Sequence, residues 1–258
     1  MAAEFITYEQ PLNEPIRICL RLEHLFQQLH DHLKKSTTAD SHLAMIALLK
    51  TLNVIDRPDL KPKLTQTLTQ QATALAQLEH SPQVDANKLR DLLARLDKLI
   101  EHLHQTHGKI GEDLRQNLFL NQIRLHLHNP AGPCNFNTPG YSLWLHQAPE
   151  KRISDLQRWT SAFDQLQSVV STILFITRDC ASSQQTTAQQ GLYQQTLDAN
   201  LPCQLIRVKV PTTTHLYPEI SAGIHRLVIR FLPLDTQRAS PIPPTAENVN
   251  FVLSCCRV

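Results

Sequence analysis

Glycine is scarce in this chain, 6 of 258 residues, and the glycines form neither GxGxxG nor GxxxxGK(S/T). Without such a loop no run of backbone amides is set to cradle a phosphate, which argues against nucleotide binding. Aromatic residues make up 5% of the chain and leave few platforms on which bases could stack. Cationic excess is nearly absent. Lys and Arg number 25 against 23 acids, a formal charge of +2, so any basic site has to be assembled by folding. Apolar runs are short, none approaching the ~18 residues that cross a bilayer. The start, MAAEFITYEQ, lacks the charged-then-apolar layout of a secretion signal. The expected location is therefore the cytoplasm, without direct membrane contact.

Catalytic signatures are missing too. There is no GxSxG turn to expose a serine, no HExxH helix and no CxxC pair. The adjacent Cys255 and Cys256 cannot readily bridge to each other, and all six cysteines are read as reduced packing thiols. Histidines gather at 101–107 and at His126 and His128, but His104 and His107 at i, i+3 fall short of the three or four converging ligands that zinc requires. Solvated helix ends account for them more simply. These absences predict a protein with no catalytic site, no metal and no cofactor.

What is present is a helical pattern followed by a β pattern. Residues 5–8 read as a short strand, and Asn13-Glu14-Pro15 opens a helix to about residue 34, with Asn as cap and proline in the first turn. Ile18, Leu22, Leu25, Phe26, Leu29 and Leu33 make its buried stripe and leave Arg17 and Arg21 on the solvated side. Further helices are expected at 41–55, capped by Ser41, at 59–80, from 85 to a glycine stop at 108, and at 112–126. A turn-rich segment, 129–140, then precedes a strand at 141–146 and helices at 149–159 and 162–178. The last of these offers Phe163, Leu166, Val169, Val170, Ile173, Leu174 and Phe175 to the core, and Trp144 and Trp159 read as packing anchors.

Beyond residue 180 a Gln/Thr/Ser-rich loop leads into β-like runs around 192, 203–210, 224–232 and 249–255. Alternation in 204–210 sets Ile206, Val208 and Val210 against Arg207 and Lys209; in 225–231 it sets Leu227, Ile229 and Phe231 against Arg226, Val228 and Arg230. If these runs pair, one sheet face carries four cations, a repulsive arrangement that calls for an anionic partner. The loop 233–244, with four prolines, is expected to be mobile or extended. The expected class is α+β. A mainly helical N-terminal and central domain, 12–180, with its turn-rich break near 129–148, packs with a β-rich domain made of 181–258 and the N-terminal strand, 4–9.

Several segments then combine: Ile6-Thr-Tyr-Glu-Gln-Pro-Leu-Asn-Glu14, Arg21-Leu-Glu23, Gly140-Tyr-Ser-Leu-Trp-Leu145, Tyr217-Pro-Glu-Ile-Ser221, His225-Arg226, Ile229-Arg-Phe-Leu-Pro-Leu-Asp235 and Cys255-Cys256. Together, in order from about residue 4 to 256, they resemble the ZapD family of cell-division proteins. The resemblance implies a dimeric, non-enzymatic cytoplasmic protein of Gram-negative bacteria, with an α-helical and a β domain, concentrated at midcell. Such a protein binds the C-terminal tail of the tubulin-like division protein FtsZ, cross-links and bundles its filaments and promotes Z-ring assembly. Two tails held per dimer make weak contacts effective through local concentration. Matched to the family's motifs, the tail-binding residues are Arg226, Arg230 and Arg57, with Arg17 and Arg21 as further candidates for bundling; Arg207 and Lys209 are added by alternation. The family pattern commonly has a lysine where this chain has Ile224 and a histidine where it has Ser142, which makes the pocket less basic or rebuilds it with His225. The competing class is a nucleic-acid-binding module on the same cations, disfavoured by the low charge and few aromatics.

Overall fold

The protein is described here by a computed structural model, which covers residues 4–79, 84–106, 108–198, 200–237 and 242–257. The chain divides into two units, Ile18–Ile173 and Met1–Arg17 with Leu174–Val258. Strand β1 (Phe5–Pro11) leads to α1 (Glu14–Leu33), and the Asn13 side chain accepts from the Ile16 amide at 2.9 Å, the expected cap. The predicted stripe is buried on α1 from Ile18 to Leu29, and Arg21 is exposed.

The next helix starts three residues earlier than expected. Its cap is Thr37, whose hydroxyl accepts from the Asp40 amide at 3.0 Å, and α2 spans Thr38–Ile55. Ser41 is buried instead, its Oγ accepting from Arg152 Nε at 3.0 Å. Helix α3 (Leu60–Ala76) buries Leu60, Leu64, Leu68 and Leu75. It ends at Ala76, with residues 77–79 in a turn, short of the expected end at His80, which itself lies outside the described residues. Asp85 caps α4 (Ala86–Gln105) through the Asn87 and Lys88 amides.

The single helix expected at 112–126 is two, α5 (Glu112–Gln116) and α6 (Leu118–His126). Asn117 adopts an extended conformation, ψ 110°, and caps α6 by accepting from the Leu120 amide at 3.1 Å. The strand expected at 141–146 is the helix α7 (Pro139–Leu145). Tyr141 and Trp144, three apart, both turn inward against Phe119, with ring centroids 6.4 and 6.1 Å away. In so short a run, i, i+3 spacing and alternation are hard to separate. Helix α8 (Pro149–Thr160) and, after a 3-10 turn, α9 (Asp164–Asp179) complete the helices. On α9, Phe175 is 55% exposed rather than in the core, and Ile176 is buried. No described helix is long and apolar enough to cross a membrane.

The remaining strands are β2 (Ser183–Ala188), β3 (Leu192–Thr196), β4 (Leu205–Pro211), β5 (Leu216–Ala222), β6 (Arg226–Pro233) and β7 (Val249–Cys256). They form two antiparallel sheets, ordered β1-β4-β7-β2 and β3-β6-β5. The fold is α+β, with the N-terminal strand paired into the four-stranded sheet. The Gln/Thr/Ser segment expected as a loop is the edge strand β2, whose polar outer positions hide any alternation. Inward residues of β4, β6 and β7, among them Val208, Ile229, Phe231, Phe251 and Leu253, form one core, with the Phe231 and Phe251 rings 4.9 Å apart. Each such side chain contributes about 1.5–3 kcal/mol on burial.

Candidate functional site

Strand β6 is the middle of the three-stranded sheet, and its burial alternates as its sequence does. Leu227, Ile229 and Phe231 are fully buried, while Arg226 and Arg230 are exposed on the other face with Val228 between them. Four residues of extended chain separate the two arginines by about 13 Å along the strand. Neighbouring strands supply the rest of that face. Leu192 and Glu219 lie opposite Arg230, and Gln194 and Ser221 opposite Val228.

These residues line a groove of about 1170 Å³, closed along one side by Ile242, Pro244, Thr245 and Ala246. The closing segment is tied down by backbone hydrogen bonds. Thr245 N donates to Phe231 O at 2.9 Å, and Gly191 N to Glu247 O at 2.9 Å. Gly191 makes that approach possible. Its φ is +70°, and a Cβ there would stand 2.6 Å from the Thr245 carbonyl oxygen.

Electrostatically the groove is mixed. Arg226 Nη2 donates to Gln194 Oε1 at 2.7 Å. The Arg230 guanidinium has no hydrogen bond or ion pair among the described residues, although Glu219 is its cross-strand neighbour. Two guanidiniums offer planar, fork-like donors that match carboxylates. Leu192, Val228, Ile242 and Pro244 offer apolar contact, and Gln189, Gln190 and Gln194 adaptable amides. Among the described residues no nucleophile paired with a base lines it. The groove thus sets cationic, apolar and amide groups side by side.

The four-cation face expected from pairing 204–210 with 225–231 does not form. Strands β4 and β6 belong to different sheets. Arg207 lies on the outer face of the four-stranded sheet, opposite Glu9, and its Nε donates to Glu9 Oε1 at 2.8 Å. Arg178 reaches the same carboxylate through Nε at 2.9 Å and Nη2 at 2.7 Å. Both partners are distant in sequence from Glu9, so nothing local announces the triad. Lys209, two positions along, is half-buried opposite Thr7 and Val252.

The other candidates are dispersed. His225 is exposed in the turn before β6 and is not among the groove's lining residues; its carbonyl accepts from Leu197 N at 2.9 Å. Arg17 pairs with Glu14 at 2.8 Å. Arg21 and Arg57 belong to the helical unit, where Arg57 lines a second cavity of about 550 Å³ with Lys61, His104, Lys109 and the apolar Ile55, Leu60 and Ile110. Lys61 is held there by donating to Thr106 O at 2.6 Å. Of the histidine clusters, His126 Nδ1 lies 3.0 Å from Asn129 Nδ2, and His107 is outside the described residues. Sequence reasoning missed Glu219 and the 242–246 wall. Reading Tyr217-Pro-Glu-Ile-Ser221 as a strand places Glu219 on the arginine face by alternation; no periodicity could have placed the wall.

A family described as ZapD, cell division protein, matches residues 20–230 of the chain. Among similar proteins, the cell division protein ZapD of Coxiella burnetii (strain RSA 493 / Nine Mile phase I) is 61% identical over 258 residues, covering all of both chains. That of Nitrosomonas eutropha is 34% identical over 251 residues, 97% of this chain and 99% of the other. That of Cupriavidus pinatubonensis is 34% identical over 254 residues, with the same shares.

Proposed function

The chain belongs to the ZapD family of cell division proteins, and from that membership we propose that it is a non-enzymatic adaptor for FtsZ. Its groove on β6 binds the C-terminal tail of FtsZ, and a homodimer of it cross-links and bundles FtsZ filaments at midcell in the cytoplasm, promoting Z-ring assembly. The observation that carries this reading is the pair Arg226 and Arg230, both exposed on one face over an apolar floor, with Arg230 uncommitted among the described residues. An acidic and apolar tail fits those two chemistries together: carboxylates on the guanidiniums, aliphatic side chains on Val228 and Leu192. Bivalency raises the effective concentration of the second tail once the first is held. Arg57, Arg17, Arg21 and His225 enter as secondary contributors to bundling, whereas Arg207, with Lys209 beside it, is assigned mainly to holding the four-stranded sheet. A nucleic-acid reading rested on four cations sharing one face, and those cations are divided between two sheets.

Co-sedimentation with polymerised FtsZ tests the proposal. The protein is expected to pellet with full-length FtsZ and to stay in the supernatant with FtsZ lacking its tail. Equal pelleting with both overturns it.

A further inference from the structure

The end of β7 carries a group of side chains that tail binding does not use. Cys203, in the segment leading into β4, and Cys255, on β7, are both partly buried against the same core, and their thiols share a hydrogen bond. The Cys203 thiol also lies 3.3 Å from Leu205 O and 3.4 Å from Cys256 O. Beyond the Leu205–Cys256 pair of the ladder, the next positions are Gln204 and Arg257. Both keep a buried atom without a hydrogen-bond partner, the acceptor Gln204 Oε1 and the donor Arg257 Nε. A buried orphan acceptor and a buried orphan donor thus stand one and two residues along the chain from the two cysteines, polar groups that a small hydrogen-bonding molecule can satisfy.

We propose that Cys255 and Cys203 are a redox-active thiol pair, in which Cys255 is oxidised by hydrogen peroxide and Cys203 resolves it as a disulfide. In the first step the Cys255 thiolate attacks one peroxide oxygen and the O–O bond breaks; with a proton the departing hydroxide becomes water, leaving a sulfenic acid. In the second, Cys203 sulfur attacks the sulfenic sulfur and a second water leaves. Two thiols lose two electrons and the peroxide becomes two waters. The Cys203 hydrogen bond and the positive charge of Arg257 favour the Cys255 thiolate against the opposing effect of burial and hold its pKa below the ordinary thiol value, while that same hydrogen bond and burial push the Cys203 thiol up. The two sulfurs thus divide into attacking and resolving roles. Cys256, next in sequence, is instead pushed up to about 11 by burial, which keeps it a thiol.

The test treats the full-length protein with equimolar hydrogen peroxide, then denatures it under alkylation. The expected result is a loss of two alkylatable thiols, reversed by a phosphine reductant, with fragmentation placing the bridge between Cys203 and Cys255. Cys203→Ser is expected to stop at a sulfenic acid on Cys255 that dimedone traps, and Arg257→Gln to slow the loss about tenfold. Circular dichroism of each variant separates slower chemistry from a lost fold. All thiols remaining alkylatable after peroxide, or a bridge through other cysteines, overturns the proposal.

Discussion

Arg207 on β4 and Arg230 on β6 occupy equivalent places, each on the outward face of an inner strand, yet their surroundings differ. Arg207 shares the Glu9 carboxylate with Arg178 in three charge-assisted hydrogen bonds, with all three side chains at or below 24% exposure. Arg230 stands exposed across from Glu219, its guanidinium without a hydrogen bond among the described residues. A guanidinium whose donors are used within the fold contributes to stability and has little to offer a ligand. One left open on a concave face can be satisfied by whatever enters. The difference therefore separates an arginine committed within the fold from one left open to solvent, though both sit in the same kind of sequence pattern.

Reversing charge on the open side is the strongest way to break that comparison. Arg226→Glu with Arg230→Glu is expected to weaken binding of an FtsZ tail peptide about 100-fold while leaving the circular dichroism spectrum unchanged. Fluorescence anisotropy reads the loss, and unaltered affinity moves the site elsewhere. The closed side should behave in the opposite sense. Glu9→Gln removes the charged acceptor of two half-buried guanidiniums and should cost about 1–3 kcal/mol in urea denaturation with tail affinity retained. A smaller effect tests the groove's wall. Gly191→Ala puts a Cβ at positive φ against the Thr245 carbonyl and is expected to cost about 1–2 kcal/mol of stability and several-fold in tail affinity together.

Milder perturbations sharpen the same contrast. Raising salt from about 50 to about 300 mM should weaken tail binding by roughly three- to tenfold, because exposed charges are screened, while the Glu9 cluster is much less affected. Asp56 provides a pH test of a committed carboxylate in the helical unit. The hydrogen bond from Arg124 and, with it, the charge of Arg115 outweigh desolvation and hold its carboxyl below the ordinary 3.8. Its contribution to stability is therefore present at neutral pH and is lost as pH falls through that lowered value. Asp56→Asn should flatten the acid limb of a pH–stability curve slightly, and an unchanged limb would assign the acid sensitivity to other carboxylates.

Much of the fold was legible in the chain because long amphipathic helices declare themselves. The Asn13 and Asp85 caps and the stripe of α1 were found at their expected residues. Errors clustered where local signals are weak. One helix start was misplaced because Thr37 rather than Ser41 supplies the cap, and one helix break was missed because a lone Asn117 interrupts an apolar run. The 141–146 segment is too short for its period to be decided, and β2 is an edge strand without apolar alternation. The six cysteines, read uniformly as packing residues, differ in their neighbours, which spacing does not encode.

The sequence by itself determined the family, the α+β class and the faces on which the residues of β4 and β6 point, since a period of two is local geometry. Only the tertiary structure decided that β4 and β6 lie in separate sheets and that Glu9 closes over Arg207 while Arg230 stays open. The physical reason is that strand pairing and ion pairing join residues far apart in the chain. Their outcome depends on which buried faces meet, and alternation along one strand carries no record of that.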